Sequence, residues 1–122
     1  MDPNNKKCPC TGDNLDRFTQ PIALLILSRD DFTAYSIAKQ MGNYSLLGET
    51  PPDIAGVYRQ LNVLQNMGII ETLKKPDESG KIKQYYHITA KGKECLGTWL
   101  QTLSYYRNGI STLIDEIGES FC

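Results

Sequence analysis

Apolar and polar positions alternate with helical periodicity over the first part of this 122-residue chain. From residue 14 to residue 28 apolar side chains recur every three or four positions, and two further leucines extend the apolar surface around the helix. This pattern predicts a helix that packs on two sides. A second helix is predicted from Thr33, whose hydroxyl can cap it, to Met41. The apolar positions of the first helix are Leu15, Phe18, Ile22, Leu25 and Ile26, with Leu24 and Leu27 behind them.

A third predicted helix has clearly marked ends. Thr50-Pro51-Pro52-Asp53 supplies a capping hydroxyl, prolines where no amide proton is needed, and a carboxylate at the third helical position. Gly68 ends the helix, because glycine adopts the left-handed cap conformation without strain. The predicted core face consists of Ile54, Val57, Leu61 and Leu64, and the opposite face consists of Ala55, Arg59, Asn62 and Asn66.

This opposite face carries small and hydrogen-bonding residues with little charge. Such a face suits the major groove of DNA, where small residues allow close approach and Arg or Asn can read base edges. A solvated helix surface has a similar composition, and it is the alternative interpretation.

The next segment predicts a hairpin with lysines beside its tip. Residues 69–75 are apolar and β-branched, Pro76–Gly80 has turn chemistry, and residues 83–88 alternate as a returning strand does. Lysines at such a tip suit contact with phosphates, although lysine on an edge strand can also serve only to prevent aggregation. The four lysines are Lys74, Lys75, Lys81 and Lys83.

Thr89 is predicted to cap a long final helix with a heptad seam. The seam predicts contact with a second copy of the chain as well as with the first helix, the alternative being a helix packed wholly within one monomer. Gly97 and Gly109 weaken a helix, so they are expected where another backbone approaches closely. The seam residues are Leu96, Trp99, Leu103, Tyr106, Ile110, Leu113 and Ile117.

This order of elements predicts a mainly α chain with a small β-hairpin wing: a winged helix-turn-helix plus a long C-terminal dimerisation helix. The chain length suits one compact core. We expect an N-terminal tail over residues 1–13, a DNA-binding domain over residues 14–93 and the dimerisation helix over residues 94–122.

Charge is distributed unevenly along the chain, although the formal net charge is only −1. Seven basic and three acidic residues lie between Arg59 and Lys93, which gives this segment a charge of +4. One basic and four acidic residues follow from Glu94 onward, a charge of −3. The near-neutral total therefore combines a basic segment suited to nucleic acid with an acidic one.

The cysteines suggest a second chemistry. Cys8 and Cys10, with Cys122 at the far end, can supply three soft metal ligands if the two tails meet, or can act as a thiol-redox pair. The pattern lacks the second spaced pair that is typical of zinc knuckles, and His87 is expected to point to solvent from the hairpin. Cys95 is expected to be a small buried apolar residue.

Other function classes find little support. The sequence holds one histidine, no phosphate-binding glycine loop and no evident carboxylate pair, so an enzyme is not expected. It also shows neither a secretory signal nor an apolar run of the ~20 residues that a membrane span needs. We therefore expect a cytoplasmic protein with reduced thiols and no membrane partner.

Several segments match a known family. They are Ala34-Tyr35-Ser36-Ile37, similar to the family's Gly-Tyr-Glu-Ile, then Gly56-Val57-Tyr58-Arg59-Gln60-Leu61 and Met67-Gly68-Ile69-Ile70, and finally Tyr85-Tyr86-His87-Ile88-Thr89 with Gly92. Through these segments, the chain from about Leu15 to Ile117 resembles transcriptional regulators of the PadR family. Ala34 replaces the usual glycine, and Asp53 is more readily assigned to the helix start than to DNA contact.

The resemblance implies a homodimeric repressor that binds an inverted-repeat site on double-stranded DNA and is released by an effector. The C-terminal helix would supply the dimer contact. Trp99 resembles a tryptophan that stacks on planar drugs in some relatives, although core packing is the alternative role. The combined candidate DNA-contacting residues are Tyr35, Ser36, Ala55, Tyr58, Arg59, Asn62, Lys81 and Lys83.

Two other functions remain open at this point. One is a regulator that senses a metal or thiol redox state through Cys8 and Cys10, similar in logic to ArsR-type sensors. The other is a protein-interaction module that uses the winged-helix shape without DNA.

Overall fold

The computed structural model describes residues 18–44 and 53–121, and these confirm the predicted mainly helical chain with one hairpin and a long final helix. In antiparallel register, the two strands pair from Ile70 with Ile88 to Pro76 with Ile82. The elements are α1 (Thr19–Arg29), α2 (Ala34–Met41), α3 (Ile54–Asn66), β1 (Ile70–Pro76), β2 (Ile82–Ile88) and α4 (Ala90–Ser120).

α1 lies at the centre of the core, as its two-sided apolar pattern predicts. Leu24 and Ile26 are fully buried although they project from different sides of the helix. Around α1 pack the inner faces of α2 and α3 together with the base of the hairpin. The predicted helix start at residues 14–17 lies outside the described residues.

The start of α3 differs from the prediction. Asp53 is the N-cap, and its carboxylate Oδ1 accepts a 2.6 Å hydrogen bond from the Gly56 amide. The predicted cap, Thr50, lies outside the described residues. Ile54 was expected in the core but is 41% exposed, because it is the first helical residue and the buried face begins one turn later at Val57.

The end of α3 and the start of α4 meet at one point. Gly68 has a φ of 74°, which confirms the predicted left-handed end of α3. The Thr89 side chain accepts from the Gly92 amide at 3.1 Å, which confirms the predicted cap of α4. A methyl group on Gly92 would overlap the Ile69 carbonyl oxygen, so glycine is needed where the two segments touch.

The hairpin is anchored to the α1–α2 connection by a short third strand segment. Phe32 and Tyr86 exchange two backbone hydrogen bonds, at 3.3 Å and 2.8 Å. Tyr86 and Ile88 are buried, whereas both strands become exposed toward the tip. The base of the wing is therefore fixed to the core, and its tip extends away from it.

α4 starts on the core and then leaves it. Leu96 and Trp99 pack against the core cluster, but Ile110 and Leu113 on the same seam are 53% and 57% exposed. Within the described part of the chain, no atom other than those of the local helix comes within 4 Å of a methyl group built on Gly97 or Gly109. Their approach to another backbone therefore stays a prediction about a second copy.

Candidate nucleic-acid interface

α3 presents the polar face that the sequence predicts. Val57, Leu61 and Leu64 are fully buried on its inner side. Ala55, Arg59, Asn62 and Asn66 are all exposed on the other side. The short side chain of Ala55 leaves room for another surface to approach the helix backbone, and Arg59 and Asn62 can hydrogen-bond to it.

Gly56 makes room for the Asp53 carboxylate at the beginning of this face, and the Arg59 side chain lies beside it. A methyl group there would lie 2.7 Å from Asp53 Oδ1 and 3.4 Å from an Arg59 terminal nitrogen, Nη2. The arginine side chain therefore runs back along α3 toward the capped end. Because the Asp53 carboxylate is bound to the helix start, the structure supports its assignment as a cap.

α2 contributes one exposed and one internally bonded side chain. Tyr35 is 72% exposed at the first turn of α2. Ser36 is half-buried, its amide donates to Thr33 Oγ1 at 3.2 Å, and its hydroxyl accepts from Gln40 Nε2 at 3.1 Å. Tyr35 can thus reach outward, whereas Ser36 also helps to hold the helix start.

Two polar side chains of the wing are linked to each other by a hydrogen bond. Gln84 Nε2 donates to the Tyr86 hydroxyl at 3.3 Å. Burial raises the pKa of Tyr86, the Gln84 hydrogen bond opposes this shift, and electrostatic interaction with Tyr58 adds to it. Tyr58, which is 46% exposed on α3, is therefore a neighbour of the wing as well as a candidate contact residue.

The tip of the wing is built around Asp77. Its Oδ1 accepts from the Ser79 amide at 2.9 Å, the Ser79 hydroxyl at 2.6 Å and the Lys81 amide at 3.0 Å. Its Oδ2 lies 3.0 Å from Lys83 Nζ. Hydrogen bonds from the Ser79 hydroxyl and then from Lys83 hold the pKa of Asp77 well below its usual range. The hydrogen bond between Lys83 and Asp77 also raises the pKa of Lys83.

Asp77 is a functional candidate that sequence reasoning missed. Its turn was identified from composition, but the specific signal, a carboxylate followed by Ser79 and Gly80, was not used. Gly80 has a φ of 86°, which lets the chain return toward β2 beneath the carboxylate. Lys83, which was predicted to contact DNA, is thus bound within its own wing.

His87 does not simply point to solvent, as was expected. Its Nδ1 lies 2.7 Å from Asp31 Oδ1, and Lys75 Nζ lies 3.4 Å from Asp31 Oδ2. Burial disfavours ionised Asp31, but hydrogen bonds and charge attraction from His87 and Lys75 outweigh burial and lower the pKa of Asp31. One carboxylate in the α1–α2 connection thus contacts both strands of the wing.

A groove of about 530 Å³ lies between α1 and α4. Trp99 lines it, together with apolar side chains of both helices. Lys93 and Tyr44 are the polar side chains of its lining, and Arg29 Nη1 lies 3.4 Å from the Tyr44 hydroxyl. The apolar lining is Phe18, Pro21, Ile22, Leu25, Leu96, Gly97, Trp99, Leu100 and Leu103.

The proposed cysteine chemistry cannot be located in this structure. Cys8, Cys10 and Cys122 lie outside the described residues, so their metal or redox role stays a prediction. Cys95 is a free thiol, only half-buried, that packs against the core. Within residues 18–44 and 53–121, no three His, Cys, Asp or Glu side chains are grouped to hold a metal ion.

The membrane prediction can be examined only for the described helices. None of the helices within residues 18–44 and 53–121 is both long enough and apolar enough to cross a bilayer.

Comparisons with known proteins agree on one family. The model of the transcriptional regulator PadR-like family matches residues 23–98. No curated protein sequence matches the chain. A PadR-like regulator from Bacillus cereus strain ATCC 14579 is 25% identical, with a TM-score of 0.73 over 82% of this chain and 94% of that one.

Two more solved structures show the same fold. A transcriptional regulator of Thermoplasma acidophilum is 23% identical, with a TM-score of 0.69 over 83% of this chain and 94% of that one. Bacillus subtilis PadR, crystallised in complex with operator DNA, is 23% identical, with a TM-score of 0.57 over 69% of this chain and 47% of that one. Because the family model matches most of α1, all of α2, α3 and the wing, and the start of α4, this chain belongs to the PadR-like family of winged-helix transcriptional regulators.

Proposed function

We propose that this protein is a homodimeric repressor that binds an inverted-repeat DNA site and is released by a small-molecule effector. The observation that carries the proposal is the exposed polar face of α3 together with the lysine-bearing wing, whose base packs in the same core as α3. A helix with small and hydrogen-bonding residues can enter the major groove while lysines contact the phosphate backbone. The operator complex of Bacillus subtilis PadR supports this use of the fold.

The proposed dimer follows from the exposed part of α4, which extends beyond the core. Leucine, isoleucine and tyrosine side chains continue the heptad seam beyond the core, and a second copy of α4 would cover them. Two chains related by a twofold axis would present two copies of α3, which matches an inverted repeat in the DNA.

The proposed effector site is the groove between α1 and α4. Its apolar lining and the indole of Trp99 suit a planar apolar molecule. The groove is bordered by the same helix that would form the dimer contact. A ligand there can alter the spacing of the two α3 helices if it binds one dimer geometry better than the other.

Selection of bound fragments from random double-stranded DNA tests the proposal. We expect recovery of an inverted repeat, and binding to it should weaken as salt is added. If each chain contacts three or four phosphates, the slope of log affinity against log salt is expected to be about −5 to −7 for the dimer. Recovery of no preferred repeat together with salt-independent binding would exclude this function and favour a protein-interaction module.

A further inference from the structure

The two faces of the wing differ in what surrounds them. Directly paired residues of antiparallel strands project from the same face, so the register assigns every wing side chain to one of two faces. We call the face that includes Tyr86 the α3-side face, because its base packs in the core with Val57 and Leu61 of α3. The other is the outer face. Lys74, Ile82 and Gln84 belong to the α3-side face, and Lys75, Lys83, Tyr85 and His87 belong to the outer face.

Both outer-face lysines are bound within the chain. Lys75 Nζ lies 3.4 Å from the Asp31 carboxylate and 4.7 Å from the centre of the Tyr85 ring. Lys83 Nζ lies 3.0 Å from Asp77. A phosphate that contacted either ammonium group would have to compete with a carboxylate already in place.

The α3-side face keeps its lysine available. Lys74 is exposed and is paired across the strands with Gln84. Gln84 in turn donates a hydrogen bond to the hydroxyl of Tyr86, on the same face. Among the described residues, no carboxylate forms an ion pair with Lys74 or with Lys81 at the tip. The backbone at Lys81 is also held in place, because its amide donates to Asp77.

We propose that Lys74 and Lys81 make the phosphate contacts of the wing, and that Asp77 prevents Lys83 from doing so. This inference rests on the proposed DNA binding and adds two things to it. It assigns a contact to Lys74, and it makes Asp77 a positioning residue that both shapes the tip and neutralises one lysine.

Four charge-matched variants test the assignment: Lys74→Gln, Lys81→Gln, Lys75→Gln and Lys83→Gln. Each removes one positive charge per chain, so differences among them report position and not net charge. We expect Lys74→Gln and Lys81→Gln each to reduce the salt slope on mixed-sequence double-stranded DNA by about 2 per dimer, one contact in each wing. We expect Lys75→Gln and Lys83→Gln to change the slope by less than half as much. An equal or larger loss from Lys83→Gln would overturn the assignment.

A second pair of variants tests Asp77. Asp77→Asn keeps an oxygen that can accept from Ser79 and Lys81 but removes the charge that holds Lys83. We expect DNA to bind more tightly, with a slope steeper by about 2 per dimer, because Lys83 becomes free. Glu78→Gln makes the same change in charge one residue away and is the control. Equal effects of the two variants would show that Asp77 acts only through net charge.

Thermal unfolding of each variant shows whether the fold is retained. The outcomes separate the two proposals. If the unchanged protein shows no salt-sensitive DNA binding, the proposed function fails and this inference fails with it. If the unchanged protein binds DNA and Lys74→Gln binds with the same affinity and slope, only this inference fails.

Discussion

Gly92 shows how a single residue fixes the position of a whole helix. The first turn of α4 lies directly on the carbonyl oxygen of Ile69, and Thr89 Oγ1 lies 2.7 Å from the Gly68 carbonyl oxygen. The Lys91 ammonium donates to the Met67 carbonyl oxygen at 2.8 Å. Side chains at the start of α4 therefore donate hydrogen bonds to the carbonyl oxygens that follow α3. The two segments can come this close only because residue 92 has no side chain.

Gly92→Ala is expected to destabilise the fold by about 1–3 kcal/mol, because the added methyl group forces the two segments apart. Gly118→Ala is the control, since a methyl group at position 118 meets nothing within 4 Å in the described structure. It should be neutral or slightly stabilising through helix propensity. Denaturant unfolding measures both variants, and equal stabilities would contradict the proposed close contact.

Arg59 is the residue of α3 best suited to read a base or bind a phosphate. Its guanidinium provides five donors in a planar fork, and Gly56 leaves space for it along the helix. We therefore expect it to contribute more to the proposed specificity than its exposed neighbours Ala55 and Asn62.

Arg59→Ala is expected to weaken binding to the selected DNA site by about 1–3 kcal/mol. Arg107→Ala removes the same charge from the exposed surface of α4 and is the matched control. Titration of both variants with the selected duplex and with mixed-sequence DNA separates specific from general effects. Unchanged affinity of Arg59→Ala for the selected duplex would remove Arg59 from the contact set.

The start of α3 illustrates which features of an element can be predicted from sequence. The caps at Thr33 and Thr89 and the end at Gly68 were predicted because each depends on nearby backbone groups. Thr50 and Asp53 are both good caps, and sequence alone gave no reason to prefer the second. The exposure of Ile54 was missed because helical periodicity identifies a face but not the turn at which the core begins.

Asp53→Ala is expected to cost about 1 kcal/mol of stability through loss of the bond to the Gly56 amide. Thr50→Ala should cost clearly less if Asp53 is the cap. Denaturant unfolding of the two variants shows which residue is the cap. A larger loss from Thr50→Ala would restore the original prediction.

α4 combines two roles along its length. Its first turns pack on the core through Leu96 and Trp99, and its later turns expose apolar residues of the same seam. The heptad spacing predicted a long helix, which the structure confirms, but spacing alone did not reveal where along the helix the core ends. The exposed part is the segment that a partner would cover.

Ile110→Glu is expected to dissociate the dimer, because it places a charge on the seam of both copies. Asn108→Glu makes an equivalent addition of negative charge outside the seam and should leave the dimer intact. Sedimentation of the two variants at equal concentration tests this. A dimeric Ile110→Glu protein would show that the exposed seam of α4 is not the interface.

At the scale of the whole molecule, basic and acidic residues lie in different elements of the fold, as their separation along the sequence predicts. The basic segment, residues 59–93, spans most of α3, the wing and the first residues of α4, and the acidic segment forms the rest of α4. This division could be predicted from the sequence. The contact between His87 and Asp31, 56 positions apart, could not, and neither could the identity of the lysines that pair with carboxylates. The DNA contacts themselves stay predictions, because they depend on a partner outside the chain.

The most direct test of the account is the mass of the protein in solution, alone and with the selected duplex, by sedimentation. The account predicts twice the 13.7 kDa chain mass for the free protein, and two chains on each inverted repeat. A single chain at working concentration, bound to DNA as a single chain or not at all, would contradict it.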